Sequence, residues 1–83
     1  MASVKLNADA LKDLERIDPI IVKRIIAKAM WLGENVVNIV PEPLHHGLRG
    51  LYKLRIGNYR AVYSMNDDAI FIEAVGHRRD VYK

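Results

Sequence analysis

Lys53, Arg55 and Arg60 are spaced so that a β-hairpin would gather their three positive charges on one surface. The stretch 51–63 reads Leu-Tyr-Lys-Leu-Arg-Ile-Gly-Asn-Tyr-Arg-Ala-Val-Tyr. Alternation puts Tyr52, Leu54 and Ile56 on one side of a first strand, and Lys53 and Arg55 on the other. Gly57 and Asn58 serve as a two-residue turn, because both residue types tolerate positive φ. That register sets Ile56 opposite Tyr59, Arg55 opposite Arg60 and Lys53 opposite Val62. Opposed arginines repel and weaken a strand pair. Folding alone would favour a Glu or Thr at one of the two positions. Three cations with no acid among them make a surface suited to a polyanionic phosphate; the plainer alternative is a solvated strand face.

The other reactive side chains narrow the chemistry. His45 and His46 are adjacent in a Pro/Gly-rich stretch, which is not metal-ligand spacing, and the chain has no cysteine to complete a site. Asp67-Asp68 is turn chemistry. There is no Gly-rich phosphate loop, no G-x-S-x-G elbow and no helical H-E-x-x-H. An enzyme built from this set works without a metal or other cofactor, through Lys, Arg, His and Tyr. Metal-free phosphodiester cleavage by such groups points to RNA, which supplies its own 2′-hydroxyl nucleophile. The protein then has to provide a base, cations for the developing charge and an acid for the leaving oxygen. His77, placed where a last strand should meet Arg78-Arg79, is either such an acid or base or a simple phosphate donor.

Charge distribution supports a nucleic-acid surface in the second half. Acids and bases balance over residues 1–44, so the whole net charge of +3 lies in residues 45–83, where five of seven cations are arginine. Arginine is the planar, bidentate phosphate reader. With 83 residues, 51% of them apolar, the chain is expected to be one ordered domain over 1–83. The apolar runs are too short to span a bilayer, and the N-terminal residues lack a signal-peptide core. With no cysteine, this leads to the expectation of a cytoplasmic protein without membrane contact.

The elements that would hold these groups can be laid out in order. Ser3–Leu6 suits a short strand. Asn7 caps a helix to about Ile17, with Ala10, Leu11, Leu14 and Ile17 on one stripe. Asp18 and Pro19 open a second helix that is expected to end near Leu32 with Gly33 as its C-cap. Its apolar face is Ile21, Val22, Ile25, Ile26, Ala29 and Leu32, and its opposite face carries Lys23, Arg24 and Lys28. Residues 34–50 form an irregular connector in which Val36, Val37, Ile39 and Val40 pack inward. After the hairpin, Asp67-Asp68 turns the chain into a third strand, with Met65 facing Ile70, Tyr63 facing Ile72 and Ala61 facing Ala74. The fold class is α+β: an N-terminal strand and an antiparallel helical hairpin packed on one face of a small antiparallel sheet. The uncovered face then shows Lys53, Arg55, Arg60, Val62, Ser64, Phe71, Glu73, Val75 and His77.

Several short motifs in this order have a family counterpart. Val4-Lys-Leu6, Leu48-Arg-Gly50, Tyr52-Lys-Leu-Arg55, Gly57-Asn-Tyr-Arg60, Val62-Tyr63 and the run Val75 to Tyr82 resemble the RelE/ParE toxin superfamily, specifically its RelE branch, over essentially the whole chain. The resemblance implies a toxin of a type II toxin–antitoxin pair that enters the ribosomal decoding site and cuts messenger RNA there. It implies a RelB-like antitoxin and the ribosome with its message as partners. By the same resemblance Lys53 is the first basic residue of the strand pair, and Arg60 holds the scissile phosphate. Arg78 protonates the leaving group or stabilises its charge, and Tyr82 stacks on or orients the nucleotide. Arg55 departs from the pattern: relatives carry a lysine there as the base, whereas a guanidinium stays protonated. That leaves Lys53, His77 and Tyr82 as candidates for the base. Lys23, Arg24, Lys28, Arg49, Arg79 and Lys83 are expected to contact ribosomal or messenger RNA. The alternatives are a ParE-like gyrase poison that is not a nuclease and a degenerate domain that only binds antitoxin or RNA.

Overall fold

The computed structural model describes residues 2–45 and 50–77. Strand β1 (Ser3–Leu6) leads into α1 (Ala8–Glu15) and α2 (Pro19–Asn35), followed by a single 3-10 turn over Val36–Asn38. Strands β2 (Glu42–Pro43), β3 (Tyr52–Ile56), β4 (Tyr59–Asn66) and β5 (Ala69–His77) complete the chain as described. Both helix starts follow from their caps. The Asn7 side chain accepts from Ala10 N at 2.8 Å, and Asp18 accepts from Ile20 N at 2.8 Å with Pro19 at the first helical position. No helix among the described residues is long and apolar enough to cross a membrane.

The five strands lie in the order β1-β5-β4-β3-β2. The meander β2-β3-β4-β5 is antiparallel, but β1 runs parallel to β5, so the sheet is mixed and not wholly antiparallel. The helices supply Ala10, Ile25, Ala29 and Leu32 to one buried cluster, and the sheet supplies Leu54, Ala61, Tyr63, Ile70, Ile72 and Val75. The α+β class and the helix-covered sheet face are as the sequence indicates.

The hairpin register is also as expected: Ile56 pairs with Tyr59, Arg55 with Arg60 and Lys53 with Val62. Gly57 takes the positive φ of the first turn and Asp67 that of the second. Met65–Ile70 and Tyr63–Ile72 also pair as expected, but the register then slips between Val62 and Tyr63. Ala61 faces Val75 where Ala74 was expected, and Glu73 is the extra residue of a β-bulge. Beyond the bulge the parity of β5 is reversed, so Val75 turns into the core. Three polar contacts hold the irregularity. Ser64 Oγ and Asn7 Nδ2 donate to the two Glu73 oxygens at 2.8 and 2.9 Å, and Val75 N donates to Asp13 Oδ2 at 2.9 Å.

Two expectations about the connector and the second helix are corrected. Gly33 does not end α2; it lies buried inside it, two residues before the end. Its role is close approach: a Cβ there would stand 2.8 Å from both the Ala2 carbonyl oxygen and Val4 Cγ2. Ala2 N donates to Gly33 O at 2.9 Å across the same contact. Gly33→Val is therefore expected to cost about 1–3 kcal/mol by overpacking, measured as a lower midpoint in urea. In the connector, Val36 and Ile39 pack against the core, but Val37 and Val40 are 79% and 93% exposed. Residues 42–43 are also not irregular, since Glu42 pairs with Lys53 and Pro43 with Tyr52 at the sheet edge.

Tyr63 is 1% exposed and packs at 5.6 Å from the Tyr52 ring. Burial raises the pKa of its hydroxyl above the usual value, with Tyr52 and Glu42 adding to the shift. A raised pKa in the folded state means that folding favours the neutral phenol. The resulting stability is fully present below about pH 10 and is lost as pH rises through the folded value. Melting temperature is expected to fall above about pH 10, and to fall less in Tyr63→Phe, in a thermal series over that range.

Candidate functional site

The sheet face opposite the main core places Lys53, Arg55 and Arg60 together on adjacent strands. Alternation and the tight turn at Gly57 are sufficient to cause this. Arg55 is exposed and stands directly across from Arg60, which is half-buried. Gly76 lies opposite Arg60 on its other side, so that neighbouring position carries no side chain. Lys53 is more enclosed, with its side chain 16% exposed. Val62 beside it is buried yet lies outside the main hydrophobic cluster.

An acid stands among these cations, contrary to the reading from sequence. Glu42 Oε1 accepts from Arg55 Nη2 at 3.2 Å and lies 3.3 Å from Lys53 Nζ. Strand β2 brings it there by pairing Glu42 with Lys53. Sequence reasoning missed it because a two-residue strand, Glu42–Pro43, directly after Pro41 shows no alternation. The signal that could have found it is a lone acid flanked by prolines, both compatible with an edge strand. Glu42 and Arg55 are largely solvated, so this pairing contributes little to stability. It orients two cations about one oxygen and leaves a positive surplus among the four side chains.

His77 is not on this face. The bulge turns it toward the helices, where its ring meets Tyr59 edge-on at 5.6 Å. There it borders a cavity of about 260 Å³ together with Asp13, Arg16 and Ile17. Lys23 and Arg24 are exposed on α2, in the layer behind the sheet, and are not brought together with Lys53. Lys28 differs from them: its Nζ lies 4.1 Å from the Trp31 ring centroid, and both residues line a groove shared with Lys53 and Arg55. Arg49, Arg78, Arg79, Tyr82 and Lys83 lie outside the described residues.

The site can therefore bind a phosphate through arginine and lysine, with a carboxylate at hand to accept a proton. A family model described as the ParE toxin of the type II toxin–antitoxin system, parDE, matches residues 4–82. Toxin RelG of Mycobacterium tuberculosis is 29% identical over 83 residues, covering 98% of this chain and 95% of that protein. Among solved structures, the toxin–antitoxin complex RelBE2 of the same organism matches with a TM-score of 0.81 and 29% identity, over 95% of this chain and 93% of that one. The isolated Escherichia coli RelE toxin matches with a TM-score of 0.76 over 99% of this chain and 92% of that one, and at 22% identity shows a shared fold.

Proposed function

The chain belongs to the ParE toxin family of type II toxin–antitoxin systems, and from that premise we propose that it is a ribosome-dependent, metal-independent messenger RNA endonuclease of the RelE kind. The observation that carries this reading is the opposed Arg55–Arg60 pair with Lys53 beside it, on the sheet face opposite the core that α1 and α2 cover. A 2′-hydroxyl oxygen attacks the adjacent phosphorus while its proton passes to a base on the protein. The bond to the 5′-oxygen breaks, and that oxygen leaves as a hydroxyl once protonated. Arg60 and Arg55 stabilise the charge that builds on the non-bridging oxygens. Lys53 and Glu42 are the groups placed to take the proton. Arg78 is assigned to the leaving oxygen, and Tyr82 to stacking on the nucleotide. His77 has no part in this scheme. Lys23, Arg24, Arg49, Arg79 and Lys83 hold RNA phosphates, with affinity that falls as salt rises.

The antitoxin is the protein partner, as in the RelB–RelE complexes of relatives. The ribosome supplies the substrate geometry. Transcript-end mapping after expression in cells tests the chemistry. Internal hydroxyl attack is expected to yield 5′-hydroxyl ends paired with 2′,3′-cyclic or 3′-phosphate ends. Hydrolysis by an external water that leaves 5′-phosphates would overturn the mechanism. Intact messages accompanied by gyrase-dependent DNA breaks would establish the gyrase-poison reading, to which the ParE family description also corresponds.

A further inference from the structure

We propose that His45 is the acid that protonates the leaving 5′-oxygen when messenger RNA is cut. The proposal deepens the nuclease reading above and rests on it. That reading has a base in Glu42 or Lys53 and charge stabilisation in Arg55 and Arg60, but it lacks a ready proton donor. Arg78 is assigned to the leaving oxygen, and a guanidinium stays protonated at any cellular pH. It can stabilise charge on that oxygen, but it gives up no proton. An imidazolium does so readily near neutral pH.

The edge strand that delivers Glu42 also delivers His45. Strand β2 pairs Glu42 with Lys53 and Pro43 with Tyr52, and Leu44 N continues the pairing by donating to Leu51 O at 3.0 Å. The chain then bends at Leu44 and His45, which ends the alternation that would send His45 to the face opposite Glu42. His45 lines a cavity of about 360 Å³ together with Glu42, Lys53, Pro43 and Leu44. Three residues of chain separate His45 from Glu42, so their Cα atoms stand within about 11 Å of each other. In-line displacement puts the entering and leaving oxygens on opposite sides of the phosphorus. A base and an acid on the walls of one cavity can each meet one of them. His45 is exposed, so water can replace its proton between turnovers. Of the other histidines, His77 is on the helix side of the sheet and His46 lies outside the described residues.

The step balances with the groups present. Glu42, or Lys53 in its place, takes the proton of the 2′-hydroxyl as that oxygen bonds to phosphorus. The bond from phosphorus to the 5′-oxygen breaks with its electron pair going to oxygen, and the His45 imidazolium hands that oxygen a proton. The products are a 2′,3′-cyclic phosphate and a 5′-hydroxyl. The base has gained one proton and His45 has lost one, and exchange with water restores both.

The test uses full-length toxin, ribosomes stalled on a message, and two forms of that message. One is ordinary; in the other, sulfur replaces the 5′-oxygen at the bond located by end mapping. Sulfur leaves as a thiolate, which is stable without a proton, so the second message does not need the acid. His45→Gln is expected to slow single-turnover cleavage of the ordinary message by about 100-fold, as loss of a general acid does. On the sulfur message it is expected to cut within about threefold of the parent, while Arg60→Ala stays slow on both. Glutamine keeps a hydrogen-bond donor at an exposed position, and circular dichroism checks the fold of each variant. Cleavage of the ordinary message by His45→Gln within about threefold of the parent would overturn the proposal. An equal loss on both messages would also overturn it, and would leave His45 a role in binding alone. Rescue by sulfur confined to His46→Gln or His77→Gln, measured alongside, would give the acid to that residue instead. If the parent cuts neither message, the nuclease reading itself fails and the assignment falls with it.

Discussion

Arg60→Ala is expected to lower messenger RNA cleavage by about 100- to 1,000-fold, the usual cost of removing a charge-stabilising donor from a developing oxyanion. The position argues for function over folding. Arg60 stands directly across from Arg55, an arrangement that a strand pair tolerates at a loss. Alanine removes that repulsion, and a stability measurement separates loss of activity from loss of fold. Arg60→Lys restores charge but not the planar, two-pronged contact, and should recover only part of the rate. Single-turnover cleavage on stalled ribosomes gives the rate, and thermal unfolding of the same preparations gives stability. Cleavage within about threefold of the parent, with the protein folded, would remove Arg60 from the mechanism.

Glu42→Gln should separate two roles that a static contact cannot. If the carboxylate takes the 2′-hydroxyl proton, the single-turnover rate at saturating ribosome falls by about 100-fold or more. If Glu42 only orients and partly neutralises Lys53 and Arg55, the rate holds. RNA then binds more tightly with a steeper salt dependence, because two cations are released to phosphate. The expected result is the first, accompanied by tighter binding. An unchanged rate would pass the proton to Lys53, which stands 3.3 Å from the same oxygen. The proposed role thus depends on a contact that composition and alternation do not show.

What the sequence disclosed about this site follows from the range over which each signal acts. The Lys53–Arg55–Arg60 grouping was legible because a two-residue turn fixes register and a period of two fixes the face. The caps at Asn7 and Asp18 were legible because their hydrogen bonds reach only two or three residues along the chain. The bulge was not, because Glu73 is held by Asn7 and Ser64 from distant parts of the chain. The buried positions of β5 are Ile70, Ile72 and Val75, a step of three, but the apolar Ala74 lets unbroken alternation pass in the sequence. Missing that step placed His77 on the wrong face. Gly33 was misread for a similar reason. Glycine after a helical stripe signals a cap, and only the approach of Ala2 and Val4 explains one kept inside the helix.

The parallel pairing of β1 with β5 has a consequence for how long the folded molecule lasts. The β3-β4-β5 meander closes through tight turns, whereas β1 meets β5 only by joining positions 66 residues apart, as in the Asn7–Glu73 contact. Local hairpins form before such distant contacts repay their loop-closure entropy, so the β1 seam is formed late and lost early. A substitution at the end of this seam, at Asn7, should therefore quicken unfolding while leaving the folding rate nearly unchanged. The seam is at the opposite edge of the sheet from β2 and Glu42. How long a toxin molecule survives after its antitoxin is lost would then be set at one border of the sheet, and what it does in that time at the other.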